Sequence, residues 1–306
     1  MQVTRLKCGS FIFSLRLNHT ISDSSGLFKF LSALGEISCG MIEPSISPVW
    51  CRELLNARNP PRVTCTHHEY EKLPQNKGTI IPLDNMVHHT FFFGPTEVAA
   101  IRSLLPLHPL QQHTDFEIIS AFCWRCRTIA LQLDTDEEVR FICVVDGRSK
   151  SVNLQLPKGY YGNALANSVV LTTAGKLTEN PLAYALNLVK KAKANVTQEY
   201  MHSLADLMVI KSRPHFNVVR SYLVSDVTRG GFEKVDYGWG KPVYGGPARG
   251  ADGDIPGLAG FHIPFKNAKG EEGVVIPFYF PNQVMERFVK EMDSVLKKSG
   301  IIVSSL

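Results

Sequence analysis

Several features that would settle a function early are missing from the 306 residues. No apolar run approaches the roughly 20 residues that a helix needs to cross a bilayer. The apolar stretch Phe11 to Leu17 is interrupted by Arg16 and followed by Asn18 and His19. It lacks a small-residue cleavage site, so it does not read as a signal peptide. No G-x-G-x-x-G follows a strand and there is no G-x-x-x-x-G-K-[ST], which leaves dinucleotide and P-loop readings without support. Lys/Arg-rich runs are also lacking, and with them a case for nucleic acid. The net charge is only +5 and the pI is near 8.8. A mildly basic field suits a phosphate-bearing small ligand, but charge alone favours an ordinary soluble surface. Cysteine is scarce too: seven, at 8, 39, 51, 65, 123, 126 and 143. An odd count at irregular spacing is not a disulfide framework. Reduced thiols in the cytosol are the simpler reading. Cys123 and Cys126 form a CxxC, yet within a helical pattern that spacing only puts both on one face. Core packing is favoured over metal or redox chemistry.

What is present is ordinary globular material, 44 % hydrophobic and 20 % charged, with ample substance for a core. The length suggests about two domains. Gly9 to Leu17 has a buried-strand pattern and runs straight into Asn18-His19. Ser24 to Ile37 follows with helical periodicity, and Asp23 or Ser24 is a natural N-cap. Pro44 to Glu69 carries four prolines and reads as an extended crossover. Leu73 to Asp84 reads as loop. A strand is expected over Val87 to Phe93 and a helix over Glu97 to Leu105 capped by Thr96. Thr114 to Leu133 is a second helix, opened by a capping box of Thr114 and Glu117. Val139 to Val145 is a strand, Leu156 to Gly162 a turn-rich loop and Leu182 to Leu207 largely helical. Strands are expected at Ser221 to Val224, Val235 to Tyr237, Gly257 to Ile263 and Gly273 to Phe280. A closing amphipathic helix runs from Pro281 to Lys298. Strands and helices mix without regular βαβ alternation, so the class is α+β or a mixed-sheet α/β layout.

The segment that can carry chemistry is His19-Thr20-Ile21-Ser22-Asp23. An imidazole with an unperturbed pKa of about 6.5 can take and return a proton near neutrality. Asp23 is either a second catalytic carboxylate or the group that fixes the turn aiming His19, and the structural role is favoured. By itself a His and an Asp four apart is weak, and a satisfied structural histidine is the commoner case. A metal reading lacks a third ligand at diagnostic spacing. His67-His68 and His88-His89 are neighbours whose side chains diverge on a strand.

A second motif changes this balance. Asp236-Tyr237-Gly238-Trp239-Gly240 stands far downstream. HxxxD followed by DFGWG, here DYGWG, resembles the BAHD acyltransferase family of plants. Leu15 to His19, Ser120-Ala-Phe-Cys-Trp124-Arg-Cys, Val145-Asp-Gly-Arg148 and Pro157 to Asn163 are similar to further family segments in the same order. The resemblance covers essentially the whole chain. It implies an α/β fold of mixed α+β character, with two chloramphenicol-acetyltransferase-like mixed-sheet domains. On this reading residues 1–70 are the remnant of the N-terminal domain with the HxxxD motif and crossover, and residues 71–306 are the C-terminal domain. A strand near residues 236–242 returns to the first.

The resemblance also implies the chemistry. His19 takes the proton of an acceptor hydroxyl, the oxygen attacks the thioester of acyl-CoA, and CoA thiolate leaves without an acyl-enzyme. Asp23 holds the turn. Ser120, Asp146, Arg148, Gly162 and Asn163 match segments on the CoA side, although Arg148 is equally read as a surface ion pair and Gly162-Asn163 as turn-formers. Asp236, Gly238, Trp239 and Gly240 support the fold, with Trp239 as a buried anchor. Acyl-CoA is a co-substrate, no cofactor or metal is permanently bound, and neither nucleic acid nor membrane is a partner. A cytoplasmic monomer is expected.

Two departures matter. The hydroxycinnamoyl branch commonly reads Thr-Ser-Trp-x-Arg before the second motif, and this chain has Ser225-Asp226-Val227-Thr228-Arg229. That moves the resemblance toward the ester-forming alcohol acyltransferase branch, of the benzyl alcohol benzoyltransferase kind, with Val227 giving a roomier acceptor wall. His19 also stands near the start, where family members carry a substantial preceding region. The first domain is therefore expected to be incomplete, as in a truncated gene product. A non-catalytic family member with a structural or binding role is the competing reading. A peptide-condensation domain, a third, wants a histidine where Asn18 stands. Missing sheet neighbours leave open edges and exposed apolar surface. The chain expressed alone is expected to bind the dye ANS and to aggregate; a soluble, dye-silent monomer with one cooperative melt is the opposite outcome.

Overall fold

The computed structural model describes residues 1–72, 85–106, 113–248 and 257–296. The loop read over Leu73 to Asp84 and the last residues of the closing helix lie outside these. The chain forms two compact units. One comprises residues 1–54, 155–165 and 230–248, and the other residues 55–154, 166–229 and 249–306. No helix among the described residues is long and apolar enough to cross a membrane.

The first unit contains a hairpin and a helix. Strand β1 (Gln2–Arg5) pairs antiparallel with β2 (Phe11–Ser14), and helix α1 spans Ser24–Ser38. The hairpin leaves Val3, Phe11 and Ile12 exposed at 65 %, 40 % and 52 %, because a two-stranded ribbon offers a second face to nothing. Val235 to Tyr237, expected as a strand, and the returning strand expected near residues 236–242 are irregular instead. The Asp236 carboxylate accepts the backbone N–H of Gly238 (2.7 Å) and of Gly240 (3.0 Å). Both glycines sit at positive φ, +95° and +96°. A side chain that ties up its own following backbone builds a turn rather than a ladder.

The second unit is built on β3 (Met86–Phe93), β4 (Glu138–Asp146), β5 (Leu165–Thr173, whose first residue belongs to the other unit), β6 (Ser221–Asp226), β7 (Ala259–Lys266) and β8 (Glu272–Pro281). They form a mixed sheet in the order β3-β8-β7-β6-β4-β5. The pairs β3–β8 and β8–β7 are antiparallel, and β7–β6 and β6–β4 are parallel. The helices are α2 (Pro95–Arg102), α3 (Asp115–Leu131), α4 (Ala174–Glu179), α5 (Leu182–Asn195), α6 (Gln198–Ile210) and α7 (Asn282–Leu296). Periodicity assigns no strand over β5, whose Asn167 and Ser168 break both the period of two and that of 3.6. The helix expected over Leu182 to Leu207 is two helices. Val196 is extended and the Thr197 hydroxyl accepts Tyr200 N–H at 3.1 Å, capping α6. Helix α2 starts earlier than expected: Gly94 is its cap, Pro95 its first residue, and the Glu97 carboxylate accepts Gly94 N–H at 2.8 Å. The capping box of Thr114 and Glu117 is formed.

The core joins α3, α5 and α7 to the sheet. Phe288 of α7 is fully buried among Phe91 of β3 and Phe278 and Phe280 of β8, with ring centroids 5.4, 4.7 and 5.2 Å away. Such contacts add about 0.5–1.5 kcal/mol per pair to what burial itself gives. Trp124 of α3 lies 5.3 Å from Phe141 of β4. Cys123 and Cys126 are both in this core, and burial pushes both thiols up.

The crossover is fastened to α6 by polar groups. The buried Asp206 carboxylate accepts Arg58 N–H (2.7 Å), Arg58 Nε (2.6 Å) and Arg62 N–H (3.1 Å). The Ser203 hydroxyl oxygen accepts the backbone N–H groups of Thr64 and Cys65 and lies 2.9 Å from His67 Nε2. His67 Nδ1 and the Tyr200 hydroxyl both meet Glu69 Oε1, at 3.2 and 2.8 Å. His67 and His68 are therefore not on a strand: they stand at a 3-10 turn, and His68 pairs with Glu71 at 2.8 Å.

His262 of β7 is 1 % exposed, 5.0 Å from the Phe116 ring and 3.4 Å from the Ser120 hydroxyl. Burial lowers its pKa from 6.5 to about 4, against a smaller opposing pull from Asp226. The fold thus holds the neutral ring, and the unfolded chain binds the proton first as pH falls. The stability tied to this group is complete above the unfolded value of 6.5 and is lost as pH drops toward 4. The unfolding free energy from urea titrations is expected to fall between pH 7 and pH 5, by up to about 1.4 kcal/mol per pH unit from this group once below its unfolded pKa. His262→Gln should flatten that slope, and equal slopes in both proteins would remove His262 as the cause.

Candidate active-site elements

The HxxxD segment is a strand, a turn and a helix start. After β2 the chain turns at residues 18–21, where Ile21 N–H donates to Asn18 O at 3.0 Å. The Asn18 side-chain oxygen accepts Thr20 N–H at 3.0 Å and the Thr20 hydroxyl at 2.8 Å. The Asx turn is closed by these local hydrogen bonds. His19 sits on it, exposed, and its imidazole makes no hydrogen bond among the described residues. Asp23 closes the turn and is 1 % exposed. One carboxylate oxygen accepts Gly26 N–H at 3.0 Å and caps α1; the other accepts Ala164 N–H at 2.9 Å. A carboxylate at a helix N-terminus is also favoured by the helix dipole. Gly26 packs on residue 161: a Cβ there would stand 1.9 Å from Tyr161 O.

The loop expected on the CoA side therefore meets the HxxxD turn. Asn163 donates its side-chain amide to His19 O at 2.6 Å. Gly162 lies against the Tyr160 ring, and Val49 N–H donates to Gly159 O at 2.9 Å. Of the candidate residues, His19, Asp23, Gly162 and Asn163 are gathered in the first unit. Asp236, Gly238 and Gly240 stand in the same unit on their own turn. Trp239 is not a buried anchor: it is 78 % exposed, edge-on to Phe11 at 5.2 Å. The hairpin has two strands and brings no second layer over that ring.

Ser120, Asp146 and Arg148 belong to the second unit. Arg148 binds Asp146 at the end of β4, through its backbone N–H and its Nη1, both at 2.9 Å. Ser120 is fully buried on α3 beside His262. Val227 is nearly buried and packs with Ile263 and Val275. Sequence reasoning did not select Arg52, Ala164, Tyr161 or His262. Each matters through a partner distant in the chain, and no spacing rule reaches that far. Among the described residues no group of His, Cys, Asp and Glu is arranged to hold a metal ion.

A family model described as the Transferase family matches residues 1–295. The chain is a member of that family, the BAHD acyltransferases. It is 64 % identical over 297 residues to benzyl alcohol O-benzoyltransferase of Petunia hybrida, covering 97 % of this chain and 64 % of that protein. It is 45 % identical over 302 residues to alcohol acyl transferase 1 (allele RGb) of Malus domestica, covering 97 % and 65 %. The chain thus spans about two-thirds or slightly less, 64 %, of the first of these relatives. Vinorine synthase shares the fold with a TM-score of 0.64 at 19 % identity, over 91 % of this chain and 61 % of that one. TRI101 of F. sporotrichioides, solved with coenzyme A and T-2, gives 0.62 at 18 %, over 88 % and 62 %. The α/β mixed-sheet fold expected from the motifs is the family's fold.

Replacing Asp23 by Ala leaves two buried backbone N–H groups without acceptors. The loss of the cap and of a charge-assisted hydrogen bond is expected to cost about 2–4 kcal/mol. Chemical denaturation followed by circular dichroism measures this, and Asp23→Asn should retain part of it. A loss below about 0.5 kcal/mol, the range of ordinary surface changes, would mean that other contacts hold the turn.

Proposed function

We propose that the chain carries the machinery of an acyl-CoA-dependent O-acyltransferase that joins an acyl group, such as acetyl or benzoyl, to a small alcohol. The observation that carries this reading is His19, presented on a turn fixed from outside at its backbone, in a chain 64 % identical to a named benzyl alcohol O-benzoyltransferase. In the proposed reaction His19 takes the alcohol proton as the oxygen bonds to the thioester carbonyl carbon. The tetrahedral intermediate collapses, the C–S bond breaks, and the thiolate leaves with its electron pair and gains a proton from the imidazolium. No acyl-enzyme is formed, so Ser22, Ser24 and Ser25 need no nucleophilic role.

Asp23 serves as an orienting group. Asp146, Arg148, Gly162 and Asn163 are proposed on the CoA side, with Arg148 offering a guanidinium suited to phosphate. Ser120, expected on the CoA side, has no exposed surface and is left out of that set. Val227, expected on the acceptor wall, is buried against Ile263 and Val275, so the preference for a small alcohol rests on the likeness to the alcohol acyltransferases. We place the protein in the cytoplasm as a monomer, in keeping with its seven free cysteines.

The test is ester formation from acetyl-CoA or benzoyl-CoA and a panel of small alcohols, by this chain and by a version extended with the preceding region of its relatives. His19→Ala should reduce turnover by about 10²–10⁴-fold, the usual weight of a positioned general base. Ester formation that survives His19→Ala in whichever version is active would overturn the role of His19. No ester from either version would overturn the activity.

A further inference from the structure

Two carbonyl groups of the turn that carries His19 accept hydrogen bonds from side chains of distant segments. Asn163 donates to His19 O. The second donor is Arg52, 31 residues further along, whose Nη2 lies 2.5 Å from Ile21 O. Its guanidinium carbon stands 4.3 Å from the centroid of the Trp50 ring and 5.6 Å from that of Tyr161. The two rings are themselves 6.2 Å apart. The guanidinium is therefore held by two aromatic rings while one end reaches the turn. Gly162 makes the room: a Cβ there would come within 3.1 Å of Arg52 Nη1 and 2.6 Å of the Tyr160 hydroxyl. Val49 N–H on Gly159 O, with the bridge between Val49 and Tyr160, keeps the segment bearing Trp50 and Arg52 in register with residues 159–162.

We propose that Arg52 is a positioning residue for His19: it fixes the 18–21 turn at Ile21 O, and so sets the direction of the imidazole. The consequence for turnover rests on the reading of His19 as general base; the effect on the turn does not. A planar cation that stacks on an indole and donates a directed hydrogen bond has no equal among side chains, and lysine lacks the plane and the fork. A general base displaced by about 1 Å can lose on the order of a hundredfold in rate without any loss of substrate affinity.

Two readouts test this. The first needs no activity: amide hydrogen exchange at Thr20, Ile21 and Ser22 in the 306-residue chain. Arg52→Gln should speed exchange there by about tenfold or more, one lost hydrogen bond of about 1.4 kcal/mol, with α1 beyond Leu27 unchanged. Arg52→Lys should fall between, and Trp50→Leu, which keeps the donor and removes its platform, should give a smaller effect in the same amides. Exchange that stays at the parent rate, or that rises over the whole of α1 alike, overturns the proposal. The second readout is kinetic, in whichever version makes ester. Arg52→Gln should lower kcat by about ten- to a hundredfold with KM for acyl-CoA unchanged, and Arg52→Lys should recover part of it. Normal kcat in Arg52→Gln, with His19→Ala inactive, overturns the positioning role and leaves His19 as base. Activity retained in His19→Ala overturns the reading of His19, while the exchange result still decides whether Arg52 holds the turn.

Discussion

The Asp23 carboxylate is the contact on which the first unit depends. Its two oxygens serve two different parts of the chain, the first turn of α1 and the loop at Ala164. Both bonds are buried, so water cannot replace either donor's partner, and an unmet N–H there carries its full desolvation cost. One short side chain thereby sets where the helix begins, how the preceding turn is directed, and which segment from more than a hundred residues away lies beside it. Glycine at position 26 is needed for the same reason: the backbone at Tyr161 is already where a side chain would be.

Two carbonyls of the same turn, His19 O and Ile21 O, are met by side chains from two further segments, Asn163 and Arg52. A histidine on such a turn is aimed by its backbone and keeps its ring available. The buried thiols belong to the core: burial pushes Cys143 up to about 12 and raises Cys123 and Cys126 as well. These groups are protonated at any physiological pH and contribute volume to the core.

Much of the local structure was legible in the residues because its causes are local. The capping box of Thr114 and Glu117 lies within one helical turn, and the strands β3, β4 and β8 were read within a residue or so of their ends. Where the reading failed, a short-range competitor or a distant partner decided. Thr197 caps a new helix inside a continuous helical pattern. Asp236 binds its own following N–H groups and removes a strand. β5 has no period of its own and becomes a strand through its place beside β4 in the sheet. Trp239 was read as buried from its chemistry, but burial is a property of what surrounds a ring, and this ring is 78 % exposed beside Phe11.

The sequence by itself determined the family, the order of its motifs, the identity of the candidate base and the cap of its helix, because each is carried by residues within a few positions of one another. Only the tertiary structure decided which distant groups meet the turn that carries that base. Asn163, Ala164 and Arg52 reach the HxxxD turn through hydrogen bonds spanning 144, 141 and 31 residues of chain. A hydrogen bond depends on distance and direction in space and is indifferent to separation along the chain, so no spacing in the sequence could have announced them.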